Sequence, residues 1–245
     1  MLSDIELRSK HRCHRFNLRA EATRLEKRPL SVGGAKVGLF LGFDPGGVRA
    51  FGWSALSGNQ LPLQLIARGV ANHAEGAVQA ALAAIVQNSV TASGIDAPMY
   101  WQPRGDRNVD QLVRTNIVQR GSSGGTVNAV NSMRGACLIQ GMMVAMLLRA
   151  NIDQLPITES HPKALLWLLG IAQPGNPPAG IALGNLQQWI VGNVAGASDH
   201  ERDAALGALS AFAMTSAMVG WRDLYQQEVN PITPLNPPPG YWLPI

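Results

Sequence analysis

The chain has few charged residues, few cysteines and no long apolar run. Charged residues make up only 15% of its 245 residues and hydrophobic residues 46%, a balance that argues against disorder and predicts a folded globule with a large interior. No run of about eighteen apolar residues occurs, and the N-terminus lacks the apolar core of a secretion signal. We therefore expect neither a membrane span nor secretion, and we expect a cytoplasmic location.

Only two cysteines are present, Cys13 and Cys137, and neither has a partner at Cys-x-x-Cys spacing. A single pair does not build a disulfide framework. His11 and His14 flank Cys13, but a second ligand pair at zinc-finger spacing is missing, so this cluster is read as part of a polar arm.

Positive charge is concentrated at the N-terminus. Residues 1–36 contain nine Lys or Arg residues against four acids, a net charge of +5, which leaves −1 for the rest of a chain whose total is +4. A basic arm can contact phosphate backbones, because each neutralised phosphate releases counter-ions. A solvated, partly helical extension or a start-site artefact explains the same charges equally well.

No charge block or low-complexity linker splits the middle of the chain, so one domain with appendages is the simplest division. The predicted units are the basic arm (1–36), a single domain (37–225) and a Pro-rich tail (226–245). Six of residues 231–245 are prolines, which predicts extended, polyproline-like chain for the tail, lying across the domain through Tyr241 and Trp242.

An acidic residue ends the first predicted strand. Residues 39–43 are nearly all apolar, which is typical of a central strand covered on both faces, and Asp44 follows at once. The Pro-Gly-Gly segment 45–47 lets the backbone turn tightly, and residues 50–56 predict the returning strand. A third strand over residues 63–70 completes an antiparallel meander. Asp44 is thus held at the end of a rigid element.

Two later strands end in the same way. A short predicted strand ends at Asp96 with a proline just beyond, and residues 155–159 predict another that ends at Glu159. Parallel strands bring their carboxyl ends to one side of an open α/β sheet, where ligand sites collect, so we expect Asp44 and Asp96 to face the same crevice. An aspartate that only caps the following turn is the alternative.

A helix is predicted over residues 197–212. His200 and Asp203 lie three residues apart and share one face, which Gly207 continues with little bulk. A stripe of small residues lets a helix press close to a sheet, so we expect Asp203 to reach the end of the first strand beside Asp44. A capped polar helix start is the alternative.

An arginine-rich segment lies between these acids. Residues 100–131 are expected to be a long irregular loop, and loops of this length are usually functional or mobile. Its guanidinium groups and the backbone N–H donors of its Gly/Ser turn can bind phosphates, whereas pairing of the arginines with Asp106 and Asp110 is the alternative. The substrate-binding candidates are Arg104, Arg107, Arg114, Ser122 and Ser123.

Helices are also predicted after the third strand, from an N-cap at Asn72, and over residues 163–169, and two more lie elsewhere in the chain. Residues 131–150 are apolar nearly all round and predict a helix buried against the sheet, and residues 183–191 predict a second helix. No Lys or Arg occurs between Lys163 and Arg202. The absence of basic residues there weakens the prediction that this part of the chain binds nucleic acid tightly.

Together these motifs resemble the RNase-H-like superfamily. The Asp-Pro-Gly turn followed by Gly-Trp is especially similar to RuvC-type Holliday junction resolvases. The E-x-x-P at 159–162 resembles the fifth-strand segment of these enzymes, and the H-x-x-D-A at 200–204 resembles their C-terminal catalytic helix. The E-x-x-P also resembles a predicted nuclease family known as domain of unknown function four-twenty-nine. The resemblance spans roughly residues 37–219 and rests on four short motifs taken together. It implies an α/β fold with a mixed sheet, its first three strands antiparallel, and helices on both faces.

The resemblance implies a metal-dependent nuclease that hydrolyses phosphodiester bonds by a two-metal mechanism. In such a site Asp44, Asp96 and Asp203 would hold one or two Mg²⁺ or Mn²⁺ ions, and His200 would be a ligand or a base that positions water. Glu159 would orient a ligand from the outer shell or bind a third metal. DNA or RNA would be the partner, and resolvases of this type act as homodimers. Three acids without metal should repel one another and raise their own pKa values, so metal should stabilise the fold.

Other interpretations stay open. A module that kept the fold and lost the chemistry, and now binds nucleic acid or acts as a scaffold, fits the missing basic residues. Hydrolysis of a small phosphodiester or nucleotide needs no basic face. A sugar-kinase or actin-like ATPase shares the first hairpin but requires a duplicated domain and a second phosphate loop, and the chain shows neither.

Overall fold

The structure is a computed structural model that describes residues 37–85, 90–102, 107–128, 135–173 and 180–245. The basic arm and Arg104 therefore lie outside the described residues. No helix within these ranges is both long and apolar enough to cross a membrane.

The described strands form one mixed sheet. They are β1 (Leu39–Asp44), β2 (Phe51–Ser57), β3 (Leu63–Ala71), β4 (Val90–Ile95), β5 (Ile157–Glu159), β6 (Ile190–Val191), β7 (Arg222–Asp223) and β8 (Gly240–Leu243). Their order across the sheet is β6-β3-β2-β1-β4-β5-β8-β7. Strands β1, β2 and β3 pair antiparallel, while β4, β5 and β8 run parallel to β1. The predicted mixed sheet with an antiparallel start is confirmed.

Helices cover both faces of this sheet. They are α1 (Ala74–Ala84), α2 (Asn108–Val118), α3 (Gly135–Asn151), α4 (Pro162–Leu168), α5 (Leu183–Leu186) and α6 (Asp199–Ser216). Helices α2, α4 and α6 share a core with Phe40, whereas α1 and α3 share one with Leu41 and Phe43. Because successive side chains of a strand point to opposite faces, these two cores lie on opposite sides of the sheet.

Helix α6 begins at a capping box, in which the Ser198 side chain accepts a hydrogen bond from the Glu201 N–H and the Glu201 side chain accepts one from the Ser198 N–H. Its next residues are fixed to β2, because the Ser54 hydroxyl donates to the Glu201 carbonyl over 2.7 Å. The start of this helix is therefore defined by side chains of its own sequence and by one strand of the sheet.

Glycines on three strands let α6 lie directly on the backbone of the sheet. A Cβ at Gly42 of β1 would lie 1.6 Å from the Ala204 carbonyl oxygen, and one at Gly94 of β4 would lie 1.9 Å from the Gly207 carbonyl oxygen. On β2, a Cβ at Gly52 would lie 2.1 Å from the His200 carbonyl oxygen. The predicted close approach of a small-residue helix is confirmed, and the strands contribute as much to it as the helix does.

Residues 100–131 are not one irregular loop, because α2 occupies the middle of the segment. Val109, Val113 and Ile117 recur at helical spacing and are buried in the core that α6 shares. The many polar residues between them hid this apolar stripe in the sequence.

Two other predicted helices differ from the structure. Over residues 183–191 only Leu183–Leu186 is helical, and Ile190–Val191 is strand β6, paired parallel to β3. Helix α3 is buried on one side only, since Ile139 and Met146 are 64% and 61% exposed.

The chain's end joins the sheet. Strand β8 pairs parallel to β5, and Tyr241 is fully buried in the core shared by α2, α4 and α6. The prediction of polyproline-like chain is therefore wrong for Gly240–Leu243, where alternating Tyr and Leu side chains fill the core.

Candidate active site at the carboxyl ends of the central strands

Three aspartates meet where the central parallel strands end. Asp44 is the last residue of β1, and Asp96 directly follows β4, with its N–H donating to the Phe43 carbonyl over 2.9 Å. Asp203 comes from α6, beside the helix residue that contacts Gly42. The structure thus brings together the three acids that the sequence singled out, and we call them the aspartate cluster.

His200 is hydrogen-bonded to the first member of this cluster. Its Nδ1 lies 2.7 Å from Asp44 Oδ2, with 42% of the histidine side chain and 15% of the aspartate side chain exposed. A carboxylate acceptor places the proton on Nδ1, which leaves Nε2 as the nitrogen that can accept a proton. The pair therefore has the geometry of an imidazole oriented by a carboxylate.

Lys163 is the second residue that contacts the cluster, and it was not among the predicted site residues. Its Nζ lies 2.7 Å from Asp203 Oδ2, and 48% of its side chain is exposed against 5% for the aspartate. It is the second residue of α4, the helix that follows β5. The signal for it was its place just beyond Glu159, because the end of a parallel strand next to β4 lies on the same side of the sheet.

One oxygen of the cluster is left without a partner. Within the described residues, Asp203 Oδ1 is buried and accepts no hydrogen bond. Buried carboxylate oxygens are almost always hydrogen-bonded or bound to a cation, so this one marks an incomplete arrangement.

Burial and crowding raise the pKa values of all three aspartates. The pKa of Asp44 rises to about 6, first because of burial and then because of the negative charge of Asp203, and His200 and Lys163 oppose the rise. Burial, followed by the charges of Asp44 and Asp203, raises the pKa of Asp96 well above its usual range. The pKa of Asp203 is raised by burial and held down by Lys163. Burial therefore raises these three pKa values more than the predicted repulsion between the carboxylates does.

Glu159 lies in a different environment. It is 1% exposed, and its carboxylate accepts hydrogen bonds from Arg107 Nη1 and Nη2 over 2.8 and 2.6 Å and from the Met99 N–H over 2.9 Å. Arg107 also donates to both oxygens of Asp110 over 2.8 Å. Burial raises the pKa of Glu159, and Arg107 opposes that rise. We call Glu159, Arg107 and Asp110 the buried ion network.

Arg107 is consequently a structural residue and not a contact for substrate. It is 1% exposed, and its guanidinium carbon lies 4.4 Å from the ring centre of Tyr100 and 5.5 Å from that of Tyr241. A guanidinium enclosed by two carboxylates and two aromatic rings has no donor available to a phosphate. The structure realises the alternative reading, in which this arginine pairs with Asp110.

Of the other substrate-binding candidates, Arg114 lies within α2, and Ser122 and Ser123 lie on the segment that follows it. Arg114 donates from Nε to the Val127 carbonyl over 2.8 Å, and the Ser122 hydroxyl lies 2.7 Å from that of Thr126. Ser123 is exposed. Their role in binding substrate stays a prediction.

The donor atoms of the cluster suit a divalent cation, although their present spacing does not form a finished site. Carboxylate oxygens are the hard ligands that Mg²⁺ and Mn²⁺ prefer, and no described residue donates a hydrogen bond to the buried Asp203 Oδ1. Among the described residues, however, no group of three or more His, Cys, Asp and Glu side chains is placed so that it could hold a metal ion. Lys163 and His200 each engage one oxygen of the cluster, so a metal ion would have to replace or share those contacts.

No protein-family model, curated protein or solved structure matches this chain.

Proposed function

We propose that this chain is a metal-dependent nuclease of the RNase-H-like type, which hydrolyses phosphodiester bonds of nucleic acid. The observation that carries the proposal is the aspartate cluster itself, three carboxylates with raised pKa values at the ends of β1 and β4 and the start of α6. One of them has a buried oxygen for which the described ranges supply no hydrogen-bond partner. The antiparallel β1-β2-β3 meander continued by parallel strands supports the fold assignment.

Asp44, Asp96 and Asp203 would hold one or two Mg²⁺ or Mn²⁺ ions, which when bound would stabilise charge on the attacking and leaving oxygens of the phosphodiester. His200 would act as the general base. Its Nε2 would accept a proton from the attacking water, while Nδ1 keeps its proton in the hydrogen bond to Asp44. The Asp44 carboxylate would then stabilise the imidazolium that forms.

Glu159 takes no direct part in this scheme. Its carboxylate is occupied by Arg107, and its main effect is to fix α2 and the segment at Met99 against the end of β5. Glu159 would thus support the cluster through the position of the backbone next to Asp96.

A second candidate function, hydrolysis of a small phosphodiester, is favoured by the charges around the start of α6. Arg68 pairs with Glu201 over 2.7 Å, and Arg202 pairs with Asp199. These two arginines are therefore neutralised locally, and a short substrate depends less than a polyanion on a wide basic surface.

The experiment is an Mn²⁺-dependent cleavage assay on single-stranded, duplex and branched nucleic acids and on bis(p-nitrophenyl) phosphate. Asp44→Asn and His200→Asn should abolish cleavage, while Asp153→Asn, which changes an exposed aspartate on the loop after α3, should cleave like the parent. Activity on the small diester alone would select the second candidate. A parent protein that cleaves none of these substrates in Mn²⁺ would instead support a module that binds or acts as a scaffold without catalysis.

A further inference from the structure

Lys163 is the only lysine in residues 37–245, and it lies within the aspartate cluster. Its ammonium contacts Asp203 directly, and its positive charge also acts on Asp44 and Asp96. Lys163 therefore contacts one of the three carboxylates that the proposed function assigns to a metal ion, and its charge acts on the other two.

The two partners of this ion pair differ in how firmly they are held. Asp203 lies in α6, whose backbone rests on the glycines of the sheet, and its side chain is 5% exposed. Lys163 reaches it from the first turn of α4 through a flexible four-carbon stem that is 48% exposed. The carboxylate is fixed, whereas the ammonium lies on a partly exposed stem and can move toward solvent. Because Asp203 is buried, another cation must replace the ammonium when it leaves.

The cluster also has room for a stronger cation than an ammonium. Asp203 uses Oδ2 for the lysine, and its Oδ1 is buried with no partner among the described residues. A lysine donates along single hydrogen bonds, whereas a divalent ion accepts oxygen ligands from several sides at once. Among the described residues no three or more acidic, His or Cys side chains are placed to hold a metal ion, so binding of a divalent ion requires the cluster to rearrange.

We propose that Lys163 is the resident counter-ion of the aspartate cluster and that a divalent cation binds by displacing its ammonium from Asp203. This inference rests on the proposed function, since it assigns the same carboxylates to a metal ion. Without metal, the lysine keeps the three carboxylates together. With metal, the ammonium is released toward solvent, on the side from which substrate must approach.

The test is a thermal melting series of the full chain with increasing Mn²⁺. Lys163→Met removes the charge and keeps most of the aliphatic stem, and Lys163→Arg keeps the charge. Arg222→Met is the matched control, because it removes one exposed positive charge from β7, three strands away from β4 in the sheet.

Lys163→Met should melt at a lower temperature than the parent without metal and should bind Mn²⁺ about tenfold more tightly, seen as a larger rise in melting temperature at low Mn²⁺. Lys163→Arg should bind Mn²⁺ no more tightly than the parent, and Arg222→Met should match the parent. An Mn²⁺ dissociation constant for Lys163→Met that equals or exceeds the parent's would overturn the exchange.

A second measurement covers the case in which Lys163→Met does not fold. In the parent, acetylation of Lys163 by a small amine-reactive reagent is followed by peptide mass spectrometry, with Lys10 and Lys27 as internal references. Mn²⁺ should raise the labelling of Lys163 relative to the references, and unchanged or reduced labelling counts against release of the ammonium.

The outcomes separate this inference from the proposed function. If the parent cleaves with Mn²⁺ but Lys163→Met binds the metal no better, the function stands and the exchange fails. If only Lys163→Met responds to Mn²⁺, the ammonium excludes the metal from the parent, and both the exchange and the metal-dependent function of the parent fail. If neither protein responds, both fail.

Discussion

The aspartate cluster and the buried ion network are both built on acids that end neighbouring strands, yet their charges are balanced in different ways. In the network, Arg107 donates to both oxygens of Glu159 and of Asp110, and all three side chains are about 1% exposed. In the cluster, three aspartates are met by one half-exposed lysine and one half-exposed histidine, and within the described part of the chain one buried oxygen has no hydrogen-bond partner. Complete pairing in a dry environment gives stability, whereas incomplete pairing with solvent access leaves binding capacity.

Removing the cation of the network should have the largest effect. Arg107→Met leaves Glu159 and Asp110 buried without a counter-charge, so the free energy of unfolding should fall by about 3–5 kcal/mol, measured by urea unfolding. Arg120→Met, at an exposed arginine just after α2, is the control and should change it by less than about 0.5 kcal/mol. A loss below about 1 kcal/mol for Arg107→Met would mean that the network is not structural.

Moving α6 off the sheet should damage the cluster and leave the network intact. The Cβ of Gly42→Ala would lie 1.6 Å from the Ala204 carbonyl oxygen, so the helix must shift, and we expect a loss of about 2–3 kcal/mol in urea together with weaker Mn²⁺ binding. Gly47→Ala is the control, since nothing lies within 4 Å of its Cβ. Wild-type stability and metal binding in Gly42→Ala would contradict the direct contact between backbones.

Neutralising one acid in each region should change stability in opposite directions. Glu159→Gln removes the charge that pairs with a buried guanidinium and should cost about 1–3 kcal/mol. Asp96→Asn removes a carboxylate whose pKa burial has raised, so stability without metal should stay the same or rise by about 1 kcal/mol. Urea unfolding at neutral pH in EDTA compares the two variants, and an equal loss for both would erase the distinction.

The smallest effect is a pH dependence that belongs to the cluster. The pKa of Asp44 is about 6 in the folded protein against 3.8 as its ordinary value, so between these pH values the folded state holds more protons than the unfolded state. Stability therefore falls as pH rises through this window. Asp44→Asn removes that contribution, and its stability relative to the parent should increase by on the order of 1–2 kcal/mol from about pH 4 to pH 7 in EDTA. A difference that stays constant with pH would contradict the raised pKa.

The cluster could be predicted from the sequence because its signals are local. Apolar runs that stop at Asp44 and Asp96 mark strand ends, and the spacing of His200 and Asp203 marks one helix face. The network could not be predicted, because no local pattern at Arg107 or at Glu159 indicates that these two side chains pair. In the sequence alone, nothing distinguishes Glu159, which pairs with Arg107, from Asp203, which pairs with Lys163.

Strand β8 and helix α2 were missed for a related reason. Tyr241 follows three consecutive prolines, and local composition there favours extended chain, but a neighbouring strand with an open side supplies the hydrogen-bond partners. In α2 the polar residues outnumber the apolar ones, and only burial of Val113 against α4 and α6 shows which face matters. Tertiary contacts therefore determine that residues 240–243 form a strand and that residues 108–118 form a helix.

The contact between α6 and the bare backbone of β1, β2 and β4 has a mechanical consequence. At Gly42, Gly52 and Gly94 no side chain lies between helix and strand, so no change of rotamer there can widen or narrow the gap. The distance between the backbones at Asp44 on β1 and Asp203 on α6 is therefore fixed by direct contact and should change little with temperature or hydrostatic pressure. Any adjustment to ions of different radius then falls to the side chains of the cluster and to α4, which carries the lysine.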